Sequence, residues 1–219
     1  MKKPRSRKSD PAQGQNREKI ADFLSNLAAA NPFLAGGSAA ALAGAFAAAL
    51  GEMMAGLTEG REKFASVQHR VQEIHKRLTQ LREILHALVE EDSIAFKSLL
   101  DAMKLPREPD EQRTARDEAI ESSGRGATDT PLRTARAALE VLEHLNILIE
   151  IGNPHAICDV AAGAQLAHAA LKSGQYNVLA NIRDMKDIAF VESCRSEISD
   201  LARRGEEILN HIDGLANSF

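Results

Sequence analysis

Two aspartates stand at positions from which a carboxylate could move a proton. Phe64, Val67, Val71, Ile74, Leu78, Leu81, Leu85 and Leu88 alternate spacings of three and four, the seam of packed helices. The same register then reaches Asp92, and after it Ala95, Leu99 and Ala102. A carboxylate on such a seam must be hydrogen-bonded, paired or turned into a cavity, because burying it bare is costly. Desolvation would raise its pKa and suit it to proton transfer near neutral pH. The competing reading is a structural acid paired to Lys or Arg, or a seam that has rotated away from the core by this point. Asp159, in "GNPHAICDV", sits about a turn inside a helix start. Its plainer reading is an acid placed by the positive end of the helix dipole.

Other residues could hold a ligand. Asn177 and Asn181 are four apart, so one helical face would present two amides able to grip the edge of a heterocycle. Asn177 serves equally well as a cap, since it follows Gly174 closely. Gly36, Gly37 and Ser38 form a turn that runs into a helix built almost entirely of Ala, Gly and Leu, from about Ser38 to Leu57. Small side chains let a backbone or a flat ligand approach, and free amides at a helix start could meet an anion or a polar edge. Lys63, in "TEGREKF", reads by itself as a solvated lysine, and His155 and His168 as core or surface residues. No His-x-x-x-His or Cys-x-x-Cys spacing points to a metal. Phosphate-loop, Gly-x-Ser-x-Gly and dinucleotide patterns are likewise missing from the sequence.

The elements that must position these residues are helical. Met1 to Arg17 is basic, polar and aperiodic, and is expected to be a disordered, solubilising tail before one domain over 18–219. Ile20, Phe23, Leu24 and Leu27 share one face of a first short helix. The small-residue helix follows, and the long seam helix should stop near Leu105-Pro106. A further helix is expected from about Pro109 to Ala127, with "TDTPL" marking a new start and Pro131 in its first turn. There Leu132, Ala135, Leu139 and Leu142 form the next seam, with Asn146 in register. "IGNP" at Ile151 to Pro154 breaks it and begins a helix ending at Lys172 to Gly174, and Asn177 to about Ile212 is one bent helix or two. No alternating strand pattern occurs. The expectation is an all-α, elongated antiparallel helical bundle of one domain.

Composition agrees with that expectation. The 219 residues are 44% hydrophobic and 26% charged, enough for a real core. Aromatics are 4%, with no Trp and one Tyr, which favours close-packed helices. A net charge of -4 gives no reason to expect nucleic acid. Pro32 to Gly51 is uncharged, but Ala and Gly insert weakly into lipid, so it reads as a packing helix and not a span. The apolar run lies too far from Met1 for a signal peptide. With only Cys158 and Cys194, no disulfide framework is implied, and a cytoplasmic setting is expected.

In their order, these segments resemble the cyclodeaminase/cyclohydrolase family of helical folate enzymes. The resemblance runs from about Ile20 to Phe190. It is carried by "GGSAAALAGAFAAALGEMMAGLT", Gly60 and Lys63, "EEDSIAF" at Glu90 to Phe96, and Leu105-Pro106. Further on it rests on Arg116, "TPL" at Thr130 to Leu132, Gly152-Asn153, Asp159-Val160 and "NVLAN" at Asn177 to Asn181. Departures are the "NPFLAGGS" turn in place of Pro-Gly-Gly-Gly, Phe64 in place of the usual Tyr, and His155 and Cys158 before Asp159. The resemblance implies a tetrahydrofolate one-carbon substrate, no tightly bound cofactor or metal, and a homodimer with neither nucleic acid nor membrane as partner. It implies hydrolysis of methenyltetrahydrofolate to formyltetrahydrofolate, the alternatives being ammonia-releasing formiminotetrahydrofolate cyclodeamination or a folate-binding scaffold without catalysis. The cyclohydrolase is favoured because no formiminotransferase domain is fused to the chain. Asp92 would be the leading proton-transfer group, Asp159 the second acid, and Lys63 an electrostatic aid or a hold on the folate glutamate. Gly36, Gly37 and Ser38 would shape the pocket wall, and Asn153, Asn177 and Asn181 would contact the ligand.

Overall fold

The computed structural model describes residues 11–29 and 34–218. Six α-helices follow one another: α1 Pro11–Ala28, α2 Gly36–Thr58, α3 Gln68–Met103, α4 Asp110–Ile151, α5 Ile157–Asn181 and α6 Ile188–Ala216. Short 3-10 turns at Glu62–Val67 and Pro154–Ala156 make two of the corners. Among the described residues there is no strand. Residues 1–10 of the expected tail lie outside the described residues, and α1 starts at Pro11, ahead of the Glu18 expected from periodicity. Ile20 and Leu24 on that helix are exposed.

The small-residue helix α2 is the centre of the bundle, packed against α3, α5 and α4. Its glycines set the spacing. A Cβ at Gly44 would lie 2.9 Å from Leu85 Cδ2, and one at Gly51 would lie 2.7 Å from Leu78 Cδ1. Gly44 and Gly51 thus receive two leucines of the α3 seam, which is buried from Val71 to Leu88 as the periodicity predicts. α2 is also long and apolar enough to cross a membrane by length and composition, but half of its most apolar window is buried inside the bundle.

α2 begins at Gly36, two residues ahead of the expected Ser38, and three further boundaries differ from the sequence expectation, each for a local reason. Phe64 and Val67 belong to the 3-10 turn and not to α3. The Gln68 side chain organises that corner, accepting from Gly60 N–H at 2.8 Å and donating to the Thr58 carbonyl at 3.2 Å.

The expected break before Pro131 does not occur: α4 runs unbroken through it. Pro131 has no N–H for the carbonyl of Ala127, four residues back. Asn181 Nδ2 of α5 supplies the missing donor at 2.7 Å, so the freed carbonyl stays hydrogen-bonded where the helix passes through Pro131. The α4 seam then passes through Leu145 and Ile149, while Asn146 turns aside to His211.

Gly174 does not end its helix either, and α5 continues to Asn181. A Cβ there would lie 2.9 Å from the Pro131 carbonyl oxygen and 3.2 Å from Ala135 Cβ. The glycine is needed for close approach of α5 to α4, not for a turn. Past Asn181 the chain reverses, and Asp187 caps α6 by accepting from Phe190 N–H at 3.0 Å.

Candidate functional site

Where the α3 seam meets the start of α2, Asp92 faces a cavity of about 270 Å³. Gly37, Phe96, Ala127, Asn177 and Asn181 are among the residues around it. Three helices and the Pro131 irregularity therefore converge on one carboxylate. Gly37 is glycine because Asp92 lies directly against it: a Cβ would sit 2.6 Å from Asp92 Cγ and 2.7 Å from Oδ2.

Ser38, wholly buried in the first turn of α2, donates its hydroxyl to Asp92 Oδ2 at 2.9 Å. Ser93 Oγ lies 3.3 Å from Ser38 Oγ and, as donor, would fix the direction of that hydroxyl. Burial pushes the Asp92 carboxyl above its ordinary range, and the Ser38 hydroxyl and backbone N–H offset part of that shift. The result is a carboxylate fixed in place and shifted toward the pH at which a general base works best.

The amides complete the polar wall. Asn177 lies within the last turns of α5 and is not a cap, its Nδ2 donating to the Ser173 carbonyl at 2.8 Å. Asn181 Nδ2 is taken by Ala127. Each Nδ2 has one N–H engaged, so each side chain can still offer a ligand its Oδ1 acceptor and one N–H donor. Asp92 presents a carboxylate and the two amides present mixed donors and acceptors, which suits a cation beside a heterocycle edge that both donates and accepts.

Gly36 belongs to this end as well: a Cβ there would lie 3.9 Å from Asn177 Nδ2. The other candidates lie elsewhere within the chain. α2 has 23 residues and spans about 35 Å, with Gly36 to Ser38 at one end and Asn153 docked on the other. Asn153 is buried: its N–H donates to Thr58 Oγ1 at 3.0 Å and its Nδ2 to the Leu57 carbonyl at 3.3 Å. Its Oδ1 accepts from His155 N–H at 3.2 Å, so its polar atoms pin the α4–α5 corner to α2. Asp159, half-buried, begins α5 about 27 Å from Asn177 along the same helix. Lys63 is exposed, with Nζ 4.6 Å from the centre of the Phe64 ring. Among the described residues, no three His, Cys, Asp or Glu side chains are grouped to hold a metal ion.

Over residues 19–200 the sequence matches the formiminotransferase-cyclodeaminase family. The chain belongs to that family. A methenyltetrahydrofolate cyclohydrolase of Methylorubrum extorquens is 35% identical over 184 residues, covering 84% of this chain and 88% of that protein. The formimidoyltransferase-cyclodeaminase of Rattus norvegicus is 29% identical over 198 residues, covering 90% of this chain and 37% of the rat protein. The chain therefore spans little more than a third of that longer relative. A crystal structure of formiminotetrahydrofolate cyclodeaminase from Thermotoga maritima has the same fold, with a TM-score of 0.84 at 23% identity, covering 91% of this chain and 96% of that one.

Sequence reasoning missed Phe96 and Ser93 as parts of the site. Phe96 follows Asp92 by one helical turn on the same face of α3, a signal present in "EEDSIAF". Ala127 could not be found that way, because its contribution depends on a carbonyl freed by Pro131. Arg116 is structural: its guanidinium donates to the Met103 carbonyl at 3.3 and 3.1 Å, closing the C-terminus of α3.

Proposed function

We propose that the chain hydrolyses methenyltetrahydrofolate to formyltetrahydrofolate. The observation that carries this is Asp92, held by Ser38 in a cavity that it shares with the amides of Asn177 and Asn181. Methenyltetrahydrofolate bears a delocalised positive charge on a carbon between two nitrogens, and a fixed carboxylate stabilises it electrostatically. Water adds to that carbon as Asp92 takes its proton, giving a neutral tetrahedral adduct. Asp92 then returns the proton to the departing ring nitrogen, and the hydroxyl oxygen loses its own proton as the carbonyl forms. One water is consumed and one proton released. The similarity to the Methylorubrum protein, whose name states this activity, supports the reading.

Formiminotetrahydrofolate cyclodeamination is the second reading, favoured by the similarity to the rat protein. It passes through a related tetrahedral carbon with ammonia leaving, and the same carboxylate serves. The deciding experiment follows the ultraviolet decay of methenyltetrahydrofolate against a buffer blank and Asp92→Asn. Acceleration lost in the variant supports the cyclohydrolase. No acceleration, with ammonia released from formiminotetrahydrofolate, transfers the site to the second reaction. Binding without either turnover leaves a folate-binding scaffold.

The functional unit in this proposal is a cytoplasmic homodimer. Phe46, Met53 and Leu57 expose an apolar stripe along the outer face of α2. Two copies packing antiparallel on that stripe would bring the partner subunit's Lys63 and the partner subunit's Asp159 toward Asp92, explaining why candidates of one site lie at opposite ends of one chain. Mixing refolded Asp92→Asn and Lys63→Ala chains tests it: hybrid dimers would regain one intact site, whereas a mixture no more active than its components would refute shared sites. The free thiols of Cys158 and Cys194, the first exposed, fit a reducing compartment.

A further inference from the structure

A second hollow adjoins the one beside Asp92 at Phe96. This second cavity, of about 260 Å³, shares Phe96, Ala180 and Asn181 with the first and extends to Met103, Ile120 and Met185. Asp92, Phe96, Leu99 and Met103 follow one face of α3 at spacings of four, three and four, so the two adjoining cavities line about 16 Å of it. Each lies just below the roughly 300 Å³ at which ligand pockets usually begin, and a ligand spanning both would use the two side by side.

The chemistry changes along this run. At one end stand the carboxylate of Asp92 and the amides of Asn177 and Asn181. The middle is apolar, with Phe96, Leu99, Met103, Ile120 and Met185. At the far mouth Arg183, its side chain 78% exposed, lies 3.2 Å from Asp184. Two acids line this second cavity: Asp184, paired with Arg183, and Glu121, engaged by the backbone N–H groups of Lys186 and Asp187 at 3.1 and 3.2 Å.

We infer that the second cavity binds the aminobenzoyl arm of the folate, with Arg183 at its mouth meeting the arm's carboxylates. This rests on the folate reading of the Asp92 cavity. In methenyltetrahydrofolate the aryl ring is attached to one of the two nitrogens flanking the reactive carbon. A ligand with that carbon beside Asp92 must therefore project its ring immediately beyond, and Phe96 is the next residue on that face of α3. An aryl ring there gains an aromatic partner in Phe96 and sulfur contacts from Met103 and Met185. Arg116 fixes the Met103 carbonyl at one side of the cavity, and the Met185 side chain rests against Gly124 of α4.

The test is nuclear magnetic resonance of the full chain with ¹³C-methyl methionine, titrated with 5-formyltetrahydrofolate and separately with p-aminobenzoylglutamate. The ring current of the bound aryl group should shift the Met103 and Met185 methyls with both ligands and leave Met53 and Met54 of α2 in place. Ile120→Trp, which fills the cavity, should weaken 5-formyltetrahydrofolate binding by about tenfold or more and remove those shifts. Arg183→Ala should weaken it by about threefold, since the contact is exposed, and leave binding of the pteroate form, which lacks glutamate, unchanged. Folate binding or turnover with both methyls unmoved would overturn the arm site and leave the folate reading standing. A chain that neither binds nor turns over any folate would overturn both.

Discussion

Gly37→Ala tests the geometry of the site without touching its acid. The added methyl would lie 2.6 Å from Asp92 Cγ and 2.7 Å from Oδ2, where carbon contacts are most favourable near 3.5–4.0 Å. The carboxylate must retreat by about 1 Å, because the alternative is to move the backbone of a central helix. Retreat also breaks the 2.9 Å bond from Ser38. A misplacement of about 1 Å costs on the order of 10²-fold in rate, or about 2.7 kcal/mol in the barrier. The fold should survive, since alanine is the better helix former by up to about 1 kcal/mol. The assay is initial-rate decay of methenyltetrahydrofolate, corrected for spontaneous hydrolysis, with circular dichroism as the check on folding. Gly126→Ala, where an added Cβ meets nothing within 4 Å, controls for substitution itself. A folded Gly37→Ala protein turning over within about threefold of the parent would refute the claim that catalysis needs Asp92 where Gly37 puts it.

Three further outcomes are expected. Asn181→Ala should lower stability in urea unfolding by about 1–3 kcal/mol, because the Ala127 carbonyl loses its donor; in a Pro131→Ala background, which restores a helical N–H, the loss should shrink by about 1 kcal/mol. Asp92→Asn should raise the thermal midpoint at neutral pH. Burial holds the wild-type carboxyl above its unfolded range, so ionising it costs stability as pH rises through the folded value, and the gain should vanish below the ordinary carboxylate range. His144, whose ring nitrogens are buried without hydrogen bonds, is depressed by burial against an opposing pull from Glu140. Its stabilising neutral form is fully present above about pH 6.5 and is lost as pH falls through the lower folded value. Thermal scans from pH 7 to 5 should therefore show a steeper decline for the parent than for His144→Leu.

The sequence by itself determined the helical class, the α3 seam and the anomaly of Asp92 upon it, because periodicity of three and four is a local property that burial obeys. It also singled out Gly36 to Ser38, Asn177 and Asn181. It could not say that Gly37 exists to admit the Asp92 carboxylate, a contact between residues 54 or more positions apart in chain. Pro131 and Gly174 misled for one shared reason. Local rules make each a helix breaker, yet here a donor from α5 replaces the lost bond at Pro131, and close packing of α5 on the Pro131 carbonyl makes Gly174 a spacer. Only the tertiary structure decided which candidates meet. Gly37, Ser38, Asp92, Asn177 and Asn181 converge because α2, α3 and α5 share one end of the bundle, whereas Lys63, Asn153 and Asp159 lie at the other. Helix length sets that separation, and no motif spacing records which end of a helix its neighbour will face.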